Sequence, residues 1–210
     1  MIKILIADDH PVVRRGLKQL IEENENFKVT AEANNGKEVL DIINDGVFDL
    51  ILMDISMPVM NGLDTLKQLK IVKPEIPVLI LSIHPEEQYA LRVLRAGASG
   101  YLTKETAPEE LVLAIRKVLD GGKYVSISLA EKLVLQLDNN HNAPVYKELS
   151  DREFQVFQML ARGSSVSDIA EELCLSVKTI STYRSRILQK MNMKNNSELT
   201  YYAMKNRLIE

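Results

Sequence analysis

Through about residue 120 the apolar positions switch repeatedly between two periods. Short runs that are apolar at nearly every position alternate with longer stretches in which apolar residues recur at three- and four-residue spacing. The runs predict strands at Ile2–Ala7, Lys28–Ala33, Leu50–Met53, Val78–Leu81 and Ser99–Leu102. Between them the spaced positions Val13, Leu17, Leu20 and Ile21, then Val39, Leu40, Ile42 and Ile43, predict helices. So do Leu66 and Leu69, then Ala90, Val93 and Leu94, and finally Leu111, Ile115 and Val118. Strand and helix in regular alternation predict an α/β doubly wound domain with a five-stranded parallel sheet covered on both faces. Runs such as ILIA and VLILS are apolar throughout, as buried parallel strands require.

Gly121-Gly122 stops the last of these helices. Leu129, Leu133 and Leu137 then share one helical face, which predicts a short linker helix, and DNNHNAP (138–144) reads as a flexible joint. From Ser150 onward the pattern is wholly helical. SDRE (150–153) and SVSD (165–168) have the form of capping boxes. Ser176 is placed to cap a third helix over 177–191, and Ser197 or its neighbour opens a fourth that ends near Asn206. The expected division is therefore 1–121, a linker over 122–147, and an all-α four-helix unit over 148–210.

Composition excludes several classes. One cysteine, Cys174, rules out an internal disulfide or a cysteine-cluster zinc site, and it reads as a small buried hydrophobe. No apolar run approaches ~18 residues, so no membrane span is expected. MIKILIADDH turns acidic by its eighth residue and has no small-residue cleavage site. The expected location is the cytoplasm. The net charge of −3 is unevenly spread: residues 145–210 hold 10 Lys+Arg against 8 Asp+Glu. That mild positive balance permits nucleic-acid binding without arguing for it.

The candidate chemistry lies at strand ends. Ligands of an open parallel sheet sit beyond the carboxyl ends of its strands. Asp8-Asp9 follow the first strand, Asp54 in ILMDISMPVMNG (51–62) follows the third, Ser82 ends the fourth, and Lys104 lies two residues past the fifth. Singly, each reads as a cap, turn or surface residue; together they place three carboxylates, a hydroxyl and an ammonium on one edge. Such a set suits a hard divalent cation, with Mg²⁺ taking one or two carboxylates plus phosphate. A carboxylate there can also attack phosphorus and form an aspartyl phosphate.

These residues, in IADDHPVVRRGL, LMDISMPVMNG, VLILSIH and ASGYLTKE, resemble the receiver domain of two-component response regulators. The resemblance implies a flavodoxin-like fold in which Asp54 accepts phosphate from a histidine kinase. It implies that Asp8, Asp9, Asp54 and the Ser56 backbone carbonyl hold Mg²⁺, that Ser82 and Lys104 hold the phosphoryl oxygens, and that Ser82 and Tyr101 form the switch. His84 stands at the family's variable position, which influences phosphoryl lifetime; His10 reads as structural.

The second constellation is SVSDIAEELCLSVKTISTYRSRILQKM (165–191). It has helix–turn–helix form, with Val177, Ile180, Ile187 and Met191 on one face of its second helix. Lys178, Ser181, Thr182, Ser185 and Gln189 lie on the other, a face suited to base edges and phosphates. Arg186 and Lys190 flank it, and Arg184 can extend its long stem toward a phosphate. Residues 149–209 resemble the LuxR-type DNA-binding domain, whose third helix reads the major groove; Thr179 joins the DNA-binding set on that basis. Where many members carry Lys or His, this chain has Ser181, Thr182, Tyr183 and Ser185.

The two resemblances, in this order, are those of the NarL/FixJ class of response regulators. They imply a transcription factor rather than an enzyme, with a histidine kinase, a double-stranded operator and a homodimer formed on phosphorylation as partners, and RNA polymerase as a permitted one. The expected dimer contact is Leu199, Tyr202 and Ala203. Two rivals remain open: a Mg²⁺-dependent phosphatase with Asp54 as nucleophile, and a phosphorylation-independent DNA-binding protein. Against the first, Ser56 stands where haloacid-type phosphatases carry a second aspartate.

Overall fold

A computed structural model describes residues 1–106, 108–127, 129–131, 144–206 and 208–209. The chain divides into two compact units, the first ending at residue 135 and the second starting at 136. The first contains a five-stranded, all-parallel sheet in the order β2-β1-β3-β4-β5. Its strands are β1 (Ile2–Ala7), β2 (Phe27–Ala33), β3 (Leu50–Met53), β4 (Val78–Ser82) and β5 (Gly100–Thr103). Helices α1 (Pro11–Glu22), α2 (Gly36–Asp45), α3 (Gly62–Val72), α4 (Glu86–Arg95) and α5 (Pro108–Leu119) separate and follow them.

Burial follows strand position. Every residue of β3 and β4 is buried, because both faces of these central strands are covered. β2, at one edge, alternates instead: Phe27, Val29 and Ala33 are buried while Lys28, Thr30 and Glu32 are exposed. β2 and β4 differ from the expected ranges by one residue at one end, and β5 is shifted by one residue at both, so Lys104 follows β5 directly.

The other edge, β5, is closed by the segment after α5. Tyr124 N donates to Ser99 O at 2.8 Å and Tyr101 N donates to Tyr124 O at 3.2 Å. Only glycine fits at position 100, since a Cβ there would lie 2.7 Å from the Tyr124 carbonyl and 2.8 Å from Leu79. Tyr124 OH donates to Glu110, and burial with that carboxylate pushes its phenol up to about 12. Ile127 and residues 129–131 are helical, with Ser126 accepting from Leu129 N at 3.1 Å. Leu133, Leu137 and nearly all of the polar joint at 138–144 lie outside the described residues.

The second unit opens with a 3₁₀ turn (Val145–Glu148), then α6 (Asp151–Ala161), α7 (Val166–Glu172), α8 (Val177–Lys190) and α9 (Asn196–Lys205). Both expected capping boxes form, Ser150 with Glu153 and Ser165 with Asp168. Ser176 caps α8 by accepting from Thr179 N, and Asn195 caps α9 by accepting from Glu198 N. Phe154 and Phe157 are fully buried with ring centroids 6.0 Å apart, and Phe157 meets Tyr202 edge-on at 6.5 Å. Full burial of each phenylalanine contributes about 1.5–3 kcal/mol.

Three expectations about this unit are corrected. Cys174 is exposed, not buried. It stands just past α7 with φ +52°, where Cys174 N and Leu175 N bond back to Glu171 O and Ala170 O; this closing turn carries its side chain away from the core. Val177, in the first turn of α8, is 52% exposed, while Ile180, Ile187 and Met191 are buried. Leu199 and Ala203 are fully buried. They pack inside the helical unit and are unavailable to a partner; the outward face of α9 carries Tyr201 and Met204, 69% and 60% exposed.

Candidate functional site

The order of the sheet places β1 and β3 side by side while their following helices, α1 and α3, leave on opposite faces. This is the switch point at which an open α/β sheet binds ligands. Asp8 and Asp9 leave β1 there, and Asp54 leaves β3. Asp54 N donates to Ala7 O at 2.8 Å and Asp8 N to Ala33 O at 3.1 Å, so both backbones continue the sheet's ladder for one residue. Asp8 and Asp54 are buried, at 1% and 3% exposure. Lys104, from the end of β5, reaches across: its Nζ is 2.6 Å from Asp8 Oδ2 and 2.8 Å from Asp54 Oδ2. The structure thus brings together the four sequence-predicted residues Asp8, Asp9, Asp54 and Lys104.

Two carboxylates share one ammonium, and the consequences appear in the proton affinities of Asp54 and Lys104. Burial raises the Asp54 pKa, against the pull of Lys104. Burial opposes the Lys104 charge, but Asp54 and Asp8 outweigh it and the net shift is upward. Asp54 Oδ1 is buried with no hydrogen-bond partner. An orphaned carboxylate oxygen of this kind costs free energy unless a cation or an electrophile engages it. With Asp8, Asp9 and Asp54 against one lysine, an all-oxygen donor set with excess negative charge fits a hard divalent cation.

Ser82 and Tyr101 belong to a connected layer beside this cluster. Ser82 Oγ accepts from His84 N at 3.2 Å, and Lys104 N donates to Ser82 O at 2.8 Å. Tyr101 is fully buried and donates to His84 O at 2.7 Å; burial raises its pKa. His84 Nε2 lies 3.0 Å from Ser56 Oγ, and its ring packs on Tyr89 at 4.8 Å. A shift of Ser82 therefore pulls on the same residue, His84, whose carbonyl holds the Tyr101 hydroxyl. The loop after Asp54 is fixed by Gly62, whose Cβ would sit 2.0 Å from Asp54 O, so any side chain there displaces the Asp54 peptide.

Periodicity missed two residues at this site. Arg14 donates to the Asp8 carbonyl at 2.6 Å while its Nε meets Glu32 at 3.4 Å. His10 joins the carboxylates, with Nδ1 2.7 Å from Asp9 Oδ1. The adjacency of His10 to Asp9 was visible in the sequence; its orientation was not.

In the helical unit, α8 presents Lys178, Ser181, Thr182, Ser185, Arg186 and Gln189 to solvent, with Thr179 half-buried. Thr182 Oγ1 donates to Lys178 O at 2.9 Å and Ser185 Oγ to Ser181 O at 3.0 Å, which leaves their lone pairs outward. Arg184 is tied to Asn196 Oδ1 at 2.8 Å rather than extended. Lys190 is also withdrawn from the expected DNA set: its Nζ lies 2.6 Å from buried Glu153. Burial alone would raise the Glu153 pKa, but Lys190 and Ser150 lower it overall. A depressed folded pKa contributes stability above the ordinary value of 4.5 that is lost as pH falls through the folded value. Lys190→Met is expected to cost the helical unit about 1–3 kcal/mol, because it leaves a buried carboxylate without its ammonium. Urea titrations followed by residue-resolved NMR of α6 amides check this, and the loss should shrink on acidification.

The family described as the response regulator receiver domain matches residues 4–116. Residues 147–203 match the family of bacterial regulatory proteins of the luxR type. The chain belongs to the response regulators. As a member that joins these two domains, it is a phosphorylation-controlled transcriptional regulator. Among curated relatives, Response regulator UvrY of Escherichia coli (strain K12) is 35% identical over 209 residues, covering 99% of this chain and 96% of its own. Oxygen regulatory protein NreC of Staphylococcus haemolyticus is 37% identical, covering 99% of both. Among solved structures, RcsB from Salmonella enterica serovar Typhimurium, bound to promoter rprA in the presence of phosphomimetic BeF3−, has a TM-score of 0.68 at 25% identity, covering 96% of this chain and 97% of that one. Among the described residues of this response regulator, no helix is long and apolar enough to cross a membrane.

Proposed function

We propose that Asp54 is the phosphoacceptor and that its modification controls DNA binding by α8. The observation that carries this is the orphaned, buried Oδ1 of Asp54 beside Lys104 at a sheet switch point. Asp54 supplies the nucleophilic oxygen: a bond forms to phosphorus as the phosphorus–nitrogen bond of a kinase phosphohistidine breaks. Lys104 and Ser82 take the phosphoryl oxygens. Asp8, Asp9, Asp54 and the Ser56 carbonyl would hold Mg²⁺, which offsets negative charge on the transferred group. Drawing Ser82 toward that group frees or recruits the Tyr101–His84 contact, and the change favours a binding-competent state already present in the ensemble.

On DNA, Lys178, Thr179, Ser181, Thr182, Ser185 and Arg186 form the contacting face, without Lys190. A homodimer sets two copies of α8 about 34 Å apart on a two-fold operator. The exposed Tyr201 and Met204 of α9, with half-buried Tyr202 beside them, would make the contact with a second copy; Tyr202 is the one member of the original trio kept. A cytoplasmic setting and a cognate histidine kinase complete the reading. Genome-wide footprinting with and without acetyl phosphate tests it. Protection at defined sites should depend on phosphorylation, and the same protection from unmodified protein would overturn the control mechanism.

A further inference from the structure

The acidic pair needs a backbone that a strand does not supply. Consecutive side chains of a strand point to opposite faces. Yet carboxylate oxygens of Asp8, Asp9 and Asp54 lie within 4.8 Å of one another. The chain achieves this with a bend at Asp9, just past the end of β1. Asp8 N still follows the ladder, donating to Ala33 O at 3.1 Å. The Asp8 carbonyl instead accepts from the side chain of Arg14, whose Nη1 lies 2.6 Å away. That carbonyl belongs to the peptide joining Asp8 to Asp9, so its direction sets how the two carboxylates stand to each other.

Arg14 is placed to fix that direction. Its amide closes the first turn of α1 by donating to His10 O at 3.1 Å, and its side chain doubles back toward the bend. That side chain is only 12% exposed, unlike a solvated surface arginine. Its Nε meets Glu32 Oε2 of β2 at 3.4 Å, and Lys18 Nζ lies 3.2 Å from the other oxygen of Glu32. One planar guanidinium thus spans the bend and the neighbouring strand, a two-point hold that a lysine ammonium cannot reproduce. By charge alone Arg14 disfavours a cation in the acidic site, because like charges repel. Orientation and charge therefore act on cation binding with opposite signs, and Glu32 offsets the charge.

We propose that Arg14 is a positioning residue for the acidic site: by gripping the Asp8 carbonyl it holds the Asp8–Asp9 peptide in the bend that turns both carboxylates toward Asp54, and so sets the affinity of the site for Mg²⁺. Mg²⁺ demands near-ideal octahedral geometry, which makes its binding sensitive to the direction of each carboxylate. Glu32 completes the device by anchoring the guanidinium on β2. This rests on the acidic cluster being a Mg²⁺ site, as proposed above.

The test is a Mg²⁺ titration of the full chain, read by calorimetry and by the amide resonances of Asp8, Asp9 and Asp54. In Arg14→Met, which keeps the apolar stem and loses the grip, Mg²⁺ affinity should fall about tenfold or more. The amides of Asp9 and His10 should shift even before metal is added. The sign decides between causes, since loss of a positive charge by itself would tighten Mg²⁺ binding. A role in stability alone would lower the melting temperature of the metal-free chain and leave the affinity of the folded chain unchanged. Arg14→Lys keeps the charge without the two-point hold, and it too should bind Mg²⁺ more weakly than wild type. It carries the test by itself if Arg14→Met does not fold. Affinity equal to or tighter than wild type in the folded variants would overturn the proposal. Labelling of wild-type Asp54 by acetyl phosphate with Mg²⁺ separates the two readings. A chain that binds Mg²⁺ and is labelled, but whose Arg14 variants bind Mg²⁺ as wild type does, has lost only the positioning residue. A wild-type chain that takes up neither Mg²⁺ nor label overturns both.

Discussion

Acetyl phosphate with Mg²⁺ is expected to add one phosphoryl group to the wild-type chain and none to Asp54→Ala. Several carboxylates are present, but the geometry singles out Asp54. Asp8 has one oxygen on Lys104 and the other on the His10 amide, so neither is free. Among the described residues no lysine pairs with Asp9, whose ion pair is with His10. Asp54 has one oxygen on Lys104 and one with no partner, within the depth of the sheet edge. An attacking oxygen with an adjacent cation, held out of water, has the electrostatic setting that stabilises charge on a transferring phosphoryl group. Intact-protein mass spectrometry reads the result directly. Undiminished labelling of the variant would remove Asp54 from its role. Accumulation of the modified chain also separates a regulator from a phosphatase: a hydrolytic enzyme would release phosphate with turnover and retain little label.

The second large effect concerns DNA. The helical unit carries few cations on its binding face, chiefly Lys178 and Arg186, because Lys190 and Arg184 are engaged within the fold. A domain that neutralises few phosphates binds weakly alone, and with a shallow dependence on salt. Two linked copies gain an effective concentration worth about 10²–10⁴-fold when both can engage. The phosphorylated full chain should therefore bind a two-fold site about 10²–10⁴-fold more tightly than fragment 145–210. Tyr202→Glu should remove most of this gain, and replacing Lys178 and Thr182 by Ala should abolish sequence preference while Asp54 is still phosphorylated. Mobility-shift titrations at one salt concentration measure all of these. A fragment that binds as tightly as the phosphorylated chain, as a single copy, would end the dimer-gated mechanism.

By itself the sequence determined the two architectures and most of the acidic cluster. The reason is physical: parallel strands all end at one edge, so Asp8 and Asp54, which follow apolar runs and stand 46 positions apart, share that edge; the strand order then sets them side by side. Capping boxes were legible because their partners are three residues apart and bond locally. The tertiary structure decided the rest. Periodicity could not orient α9, since apolar residues lie on both of its faces, and only packing shows Leu199 and Ala203 inside with Tyr201 and Met204 outside. Composition placed Cys174 inside; the left-handed turn that ends α7 places it outside. Lys190 looked free because its partner, Glu153, is 37 residues away. The partnerless Oδ1 of Asp54, and the imidazole of His10 turned toward Asp9, depend on side-chain direction and on the packing of two separate strand ends. No local pattern of hydrophobic and polar residues encodes those.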